Sequence, residues 1–189
     1  MLILYHDYTS PASAVAVMRL DRLMREGLPA QIRGTDVTGI DATLPVTVDL
    51  LAALEAIEDE AAAEGIVLRR PKLVPPTALA HVVEDVAREH GMELDWREVC
   101  YRAYWSEGRN IGDSNELRRL AARAGLPPER ADSALDDRIA LAAVRRRSAR
   151  DRRNGIGGAP TILYDRTLVP GLLPEDDLRV LARLGSEAS

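Results

Sequence analysis

LILYHDYTSPASAVAV, Leu2 to Val17, is the stretch that decides the fold. Leu2 to Tyr5 form a short apolar run of β type. Asp7, Thr9 and Ser10 are turn and cap residues, and Pro11 suits the first position of a helix, where its missing N–H is no loss. The sequence therefore predicts strand, tight loop, helix. The helix runs from Pro11 to about Glu26, with Ala14, Val15, Met18 and Leu23 inward, Arg19, Arg22 and Arg25 outward, and Gly27 as its stop. Ser10 at that junction has two readings: a plain N-cap, or a hydroxyl facing an anion at the helix N-terminus.

Composition bounds the function. A chain of 189 residues with 46% hydrophobic and 29% charged residues is globular, with room for one domain or one fold carrying an insertion. A formal charge of −5 argues against a nucleic-acid surface. No apolar run approaches the roughly 18 residues of a membrane span, and no basic segment precedes an apolar core. The expectation is a cytoplasmic protein acting on a small-molecule substrate, with no nucleic acid and no membrane; a homodimer is left open. The single cysteine, Cys100, excludes an internal disulfide and dithiol redox chemistry within one chain.

Downstream of the first helix, Ala30 to Val37 reads as a weak second strand, and Gly39 to Pro45 as a loop. Thr47 to Asn154 is a helical block. Its expected helices run from Thr47 or Asp49 to Gly65, from Thr77 to His90, through Trp96 to Trp105, from Ser114 to Ala124, and from Glu129 to Arg153 with Leu135, Ile139, Ala142 and Val144 inward. Ile66 to Leu68 is its one strand candidate. The acidic face of Glu55, Glu58, Asp59 and Glu60 and the late arginines of the last helix read as solvated faces, and no metal site is assigned. The aromatics from Trp96 to Trp105 read as packing, with Cys100 as a small buried hydrophobe. Asp113 and Glu116 fit a capping box. Thr161 to Tyr164 and Thr167 to Val169 form a hairpin about Asp165-Arg166, and Asp176 to Leu184 closes the chain as a helix.

Four segments carry a family resemblance. Ser10-Pro11-Ala12-Ser13 has the spacing of a redox Cys-x-x-Cys with hydroxyls for sulfurs, and resembles the S-P-x-S loop of 2-hydroxychromene-2-carboxylate isomerases and kappa-class glutathione transferases. PPTALAH, Pro75 to His81, resembles the P-N-T-x-x-A-H element of DsbA-like isomerases and FrnE-type proteins, with Pro76 in place of Asn. AYWSEGRNIGD, Ala103 to Asp113, resembles A-Y-F-x-x-G-x-x-I-x-D. GIGGAPT, Gly155 to Thr161, resembles the G-V-x-G-V-P-T element whose proline is cis. Only about 5% of X-Pro bonds are cis, so the motif, not the base rate, predicts cis-Pro160.

The resemblance implies an α/β, thioredoxin-like fold of DsbA type with a large all-helical insertion: residues 1–46 and 150–189 as the core, 47–149 as the insertion, and a cleft between them. It implies a low-molecular-weight thiol cofactor, glutathione or an equivalent, whose sulfur is the nucleophile, with Ser10 as the catalytic donor. Ser10, Pro11, Ser13, Ala159 and Pro160 would bind that cofactor, and His6, Thr77 and His81 would face a small aromatic or polyketide-type molecule in the cleft. For His81 a packed histidine is the alternative, and for His6 a surface one. Ala12 stands where the isomerases have an aromatic residue, widening the pocket. The other function is a non-catalytic thioredoxin-fold binding protein descended from a disulfide oxidoreductase.

Overall fold

The computed structural model describes residues 1–187. Strand β1 (Leu2–His6) leads into helix α1 (Pro11–Arg25) and strand β2 (Ala30–Gly34). Helices α2 (Val48–Ala56), α3 (Glu58–Ala63), α4 (Ala78–Glu89), α5 (Glu93–Trp105), α6 (Ser114–Arg123), α7 (Pro128–Asp136) and α8 (Arg138–Arg153) follow. The hairpin β3 (Thr161–Tyr164) and β4 (Thr167–Pro170) and helix α9 (Glu175–Glu187) complete the chain.

The strands form one sheet in the order β2-β1-β3-β4. β1 runs parallel to β2 and antiparallel to β3. Central β1 is buried along its whole length, which is why it reads as a continuous apolar run, whereas edge strand β2 alternates. Asp165 and Arg166 both take positive φ, 41° and 68°, the backbone that a two-residue hairpin turn with the right twist requires.

The helical block does not pack as a separate body. One continuous core joins Leu2 and Leu4 of β1 and Val15 and Leu20 of α1 to Trp96 and Trp105 of α5 and Leu117 of α6. Trp96, Cys100, Tyr101 and Trp105 are fully buried, as the packing reading required.

Several expected boundaries are corrected. The helix from Thr47 to Gly65 breaks at Ile57, whose φ of −125° is not helical, giving α2 and α3. The helix from Glu129 to Arg153 breaks at Asp137, which turns extended and caps α8 by accepting the Ile139 N–H at 2.7 Å. That new start leaves Ile139 76% exposed rather than inward. Ile66 to Leu68 is not a strand; Leu44 and Val74 pair instead as an isolated bridge. β2 stops at Gly34 because the chain turns to side-chain partners: the Asp36 N–H donates to Ser148 Oγ at 2.9 Å. Two arginines of α8, Arg147 and Arg152, are partly buried and tie it to neighbouring elements, whereas Arg145 stays on the solvated face. Arg145 pairs with Asp41, Arg147 with Asp85, and Arg152 donates to the Asp36 carbonyl.

Candidate functional site

The site forms where the N-terminus of α1 meets the start of β3. Asp7 organises the approach. One of its carboxylate oxygens accepts from the Thr9 N–H and hydroxyl, both at 3.1 Å, and the other accepts from the Val37 N–H at 2.8 Å, so one residue fixes both the first loop and the loop after β2. The Ser10 N–H then donates to the Asp7 carbonyl, and Ser10 takes extended φ and ψ as the N-cap.

Ser10 Oγ accepts from the Ser13 N–H at 3.1 Å and donates to the Ala159 carbonyl at 2.7 Å. The Ala159–Pro160 peptide is cis, as the motif predicted. In the first turn of α1, Pro11 has no N–H, Ser13 donates to Ser10 Oγ and Ala14 donates to the Ser10 carbonyl. The remaining first-turn donor, the Ala12 N–H, has no partner among the described residues. The capacity of this helix start to receive an anion is therefore one amide and one hydroxyl, fewer donors than a bare helix N-terminus offers.

Ser10, Ala12 and Ala159 are half-buried and reachable, whereas Pro11, Ser13 and Pro160 are buried. The expectation for Ser13 is corrected: its hydroxyl turns inward and accepts from the Asp7 N–H at 3.4 Å, leaving no group for a ligand. Among the described residues Ser10 Oγ is bonded only to the Ala159 carbonyl and the Ser13 N–H, and no histidine or carboxylate touches it. It can donate a hydrogen bond, but it lacks the partner of an activated nucleophile.

His6, Thr77 and His81 do not line an open cleft; all three are buried, which corrects their expected place. His6 and His81 sit in a polar cluster about Glu84, whereas the Thr77 hydroxyl has no hydrogen-bond partner among the described residues. The Glu84 carboxylate accepts from Tyr8 Oη at 3.0 Å, lies 3.1 Å from His6 Nε2 and 3.2 Å from His81 Nδ1, and faces Arg97 and Arg88. His6 Nδ1 meets Tyr101 Oη at 2.8 Å, and that hydroxyl also reaches the Asp7 carbonyl at 3.3 Å. The cluster thus props the loop that carries Ser10. Burial lowers the His6 pKa, against the opposing pull of Glu84. Burial alone would raise Glu84, but His6, His81 and Arg97 outweigh it and hold the carboxyl well below its usual range.

The ligand atoms of His6, His81 and Glu84 lie within 4.8 Å of one another, a spacing that would suit a metal ion. The Glu84 carboxylate already has cationic partners, Arg88 and Arg97 at 3.3 and 3.5 Å, which it shares with Asp85 and Asp21. We read the cluster as a buried hydrogen-bond network centred on Glu84, in which His81 Nε2 has no partner among the described residues. Its central residue, Glu84, escaped the sequence reading, although Thr77, His81, Glu84 and Arg88 form one polar stripe at helical spacing through apolar Ala80, Val83 and Ala87.

Residues 1–182 match the DSBA-like thioredoxin domain. The chain belongs to that family. Similar solved structures include a probable DsbA oxidoreductase from Streptomyces coelicolor, 23% identical with a TM-score of 0.82 over 98% of this chain and 90% of that one. A 2-hydroxychromene-2-carboxylate isomerase is 18% identical with a TM-score of 0.77, covering 99% and 95% of the two chains. The cytosolic disulfide reductase DsbM from Pseudomonas aeruginosa, solved with GSH, is 22% identical with a TM-score of 0.70 and 98% coverage of both. No curated protein matches. As a DsbA-like chain this one has a single cysteine, so it carries no Cys-x-x-Cys pair, and Ser10 and Ser13 stand at that spacing instead. Among the described residues of this family member, no helix is long and apolar enough to cross a membrane.

Proposed function

We propose that this DsbA-like protein binds a low-molecular-weight thiol, glutathione or an equivalent, against Ser10 and Ala159, and uses the thiol's sulfur as nucleophile in an isomerase- or transferase-type reaction on a small molecule. The observation that carries the reading is the 2.7 Å bond between Ser10 Oγ and the Ala159 carbonyl. Rotating that hydroxyl away does two things at once. It turns the Ser10 O–H toward a bound sulfur, where the Ala12 N–H is the second donor, and it frees the Ala159 carbonyl to accept an N–H from a peptide-like thiol. Donors to the charged form favour the thiolate, which supplies a nucleophile that the protein's own side chains lack. The similar fold of a 2-hydroxychromene-2-carboxylate isomerase and of a reductase solved with GSH supports the choice of ligand class. We place the chain in the cytoplasm, where such thiols are kept reduced.

The test is a thermal-shift titration of wild type and Ser10→Ala with several cellular thiols. Saturation at roughly 100 times the dissociation constant stabilises a fold by about 2.7 kcal/mol, a readable shift. Wild type should respond to at least one thiol and Ser10→Ala should respond less. If millimolar thiols of every kind leave the wild-type melting point unmoved, the reading fails.

A second reading, a non-catalytic binding protein, is favoured by one fact: Ser10 Oγ is already bonded to the Ala159 carbonyl, and no base among the described residues touches it. Thiol binding without conjugation to an electrophile such as 1-chloro-2,4-dinitrobenzene would select it.

A further inference from the structure

Two helix faces that the sequence marks as solvated mirror each other. On α8, Ile139, Ala143, Arg146, Arg150 and Arg153 are all exposed, and they follow the alternating four- and three-residue spacing that keeps one stripe facing a neighbouring helix. Ile139 opens the stripe at 76% exposure. Arg146, Arg150 and Arg153 make no hydrogen bond or ion pair among the described residues, whereas Arg147 and Arg152 are committed to Asp85 and the Asp36 carbonyl. Arg150 feels the charge of buried Asp151 without pairing with it. An open depression of about 590 Å3 runs along the stripe, lined by Arg146, Arg147, Arg150 and Arg153 with Ala143 and Ala149 and by no carboxylate. The helix dipole does not account for these cations. Its pull fades beyond the last turn, Arg146 stands about two turns before the helix end at Arg153, and like charges at i, i+4 repel.

The counterpart lies on α2 and the start of α3. Val48, Ala52, Glu55 and Asp59 are exposed at the same spacing, Val48 at 81%, and the stripe continues across the one-residue break at Ile57. Neither Glu55 nor Asp59 has a hydrogen bond or ion pair among the described residues, in contrast to Glu60, which Arg19 holds. With the two stripes side by side in the same direction, Val48 meets Ile139, Ala52 meets Ala143, Glu55 meets Arg146 and Asp59 meets Arg150. The opposite direction sets carboxylates against Ile139 and guanidinium groups against Val48, so the order of residues selects one orientation. Both stripes are exposed, so within one chain they do not cover each other.

We propose that two copies of this chain associate through these faces, the α2–α3 stripe of one copy lying parallel on the α8 stripe of the other. Charge complementarity selects the occupant: apolar ends pack together, and two carboxylates meet two arginines that nothing else engages. A contact of one helix pair falls at the small end of protein interfaces, so the association is weak and concentration-dependent. It shares no residue with the Ser10 site and does not rest on the thiol reading.

The experiment is sedimentation equilibrium of the full-length protein up to millimolar concentration, with two charge-reversed variants: Arg146→Glu with Arg150→Glu, and Glu55→Arg with Asp59→Arg. All four side chains are exposed, so the circular dichroism of each variant should match wild type. Wild type should associate, and less so as salt rises. Each variant alone should associate at least about tenfold more weakly, because both of its faces then carry the same sign. An equimolar mixture of the two should recover association, since every acidic face again finds a basic one, a recovery that misfolded variants would not show. The proposal is overturned if wild type stays monomeric at millimolar concentration, if either variant alone associates as well as wild type, or if the mixture associates no better than its components.

Discussion

Ser10 and Ala159, 149 residues apart in sequence, share a 2.7 Å hydrogen bond in which the hydroxyl donates to the carbonyl while accepting the Ser13 N–H. A single side chain therefore caps α1 and ties it to the start of β3. Loss of an N-cap costs about 1 kcal/mol and loss of a further hydrogen bond about another 1. Ser10→Ala should lower unfolding free energy by roughly 2 kcal/mol, read from urea denaturation. A change under about 0.5 kcal/mol would show that the hydroxyl bridges nothing in solution.

Redox silence is the second expectation. Cys100 is buried in the core, and burial together with the nearby Glu84 charge pushes its thiol well above the usual range. Wild type should not accelerate insulin reduction. Its thiol should react with Ellman's reagent at least about a thousandfold more slowly in the native state than in concentrated guanidinium, following the rarity of the unfolded form. Catalysed reduction that survives Cys100→Ala would contradict the assignment of Ser10 as a non-redox group.

Acid should weaken the fold through His6. Its folded pKa lies below the ordinary 6.5, so as pH falls the unfolded chain takes up the proton first and stability is lost from about pH 6.5 downward, by up to ~1.4 kcal/mol per pH unit until the folded form protonates. Glu84, with a depressed folded pKa, adds a second loss only below its unfolded value of about 4.5. Urea midpoints between about pH 8 and pH 5 should decline for wild type and flatten between about pH 6.5 and 5 for His6→Asn. An equally steep decline in the variant would assign the effect to another group.

Gly34 permits the buried cluster to exist. A Cβ there would lie 2.7 Å from Glu84 Oε2 and closer still to His81 Nδ1. Both neighbours are locked in hydrogen bonds, so neither can retreat cheaply. Gly34→Ala should cost about 3 kcal/mol or more, the upper range for overpacking plus disrupted bonding. Adding His81→Ala should return part of that loss, making the double variant less destabilised than the two singles combined. Simple additivity would mean that the two residues do not meet.

Much of this was legible in the chain because local chemistry and tertiary role agree. The strand, cap and helix of Leu2 to Val17, the cap at Asp113 and the turn at Asp165-Arg166 each rest on residues whose conformational preferences match their place. The breaks at Ile57 and Asp137 were not legible, because the helical pattern and composition continue straight across both and only packing selects a one-residue interruption. The histidines misled for a different reason. His6 and His81 look like site residues in sequence because imidazoles are reactive; the groups that absorb His6, Glu84 and Tyr101, come from α4 and α5, remote in the chain, whereas the partner of His81 is Glu84 one turn on in the same helix. Their burial is a property of the assembled fold. Asp7 was read only as a turn residue; that it also receives the Val37 N–H depends on where β2 ends.

The register of the central strand has a consequence for synthesis. Leu2 pairs with Tyr164, so β1 leaves the ribosome long before its antiparallel neighbour exists. At about 5–20 residues per second, the wait is on the order of 10–30 s. Throughout it, LILYH is an apolar strand with one unpaired edge, even as α1, β2 and then the helices of the shared core emerge to cover the rest of it. The nascent chain is thus most prone to misassembly at its beginning, and the hazard ends only when the hairpin after Pro160 emerges and takes its place beside β1.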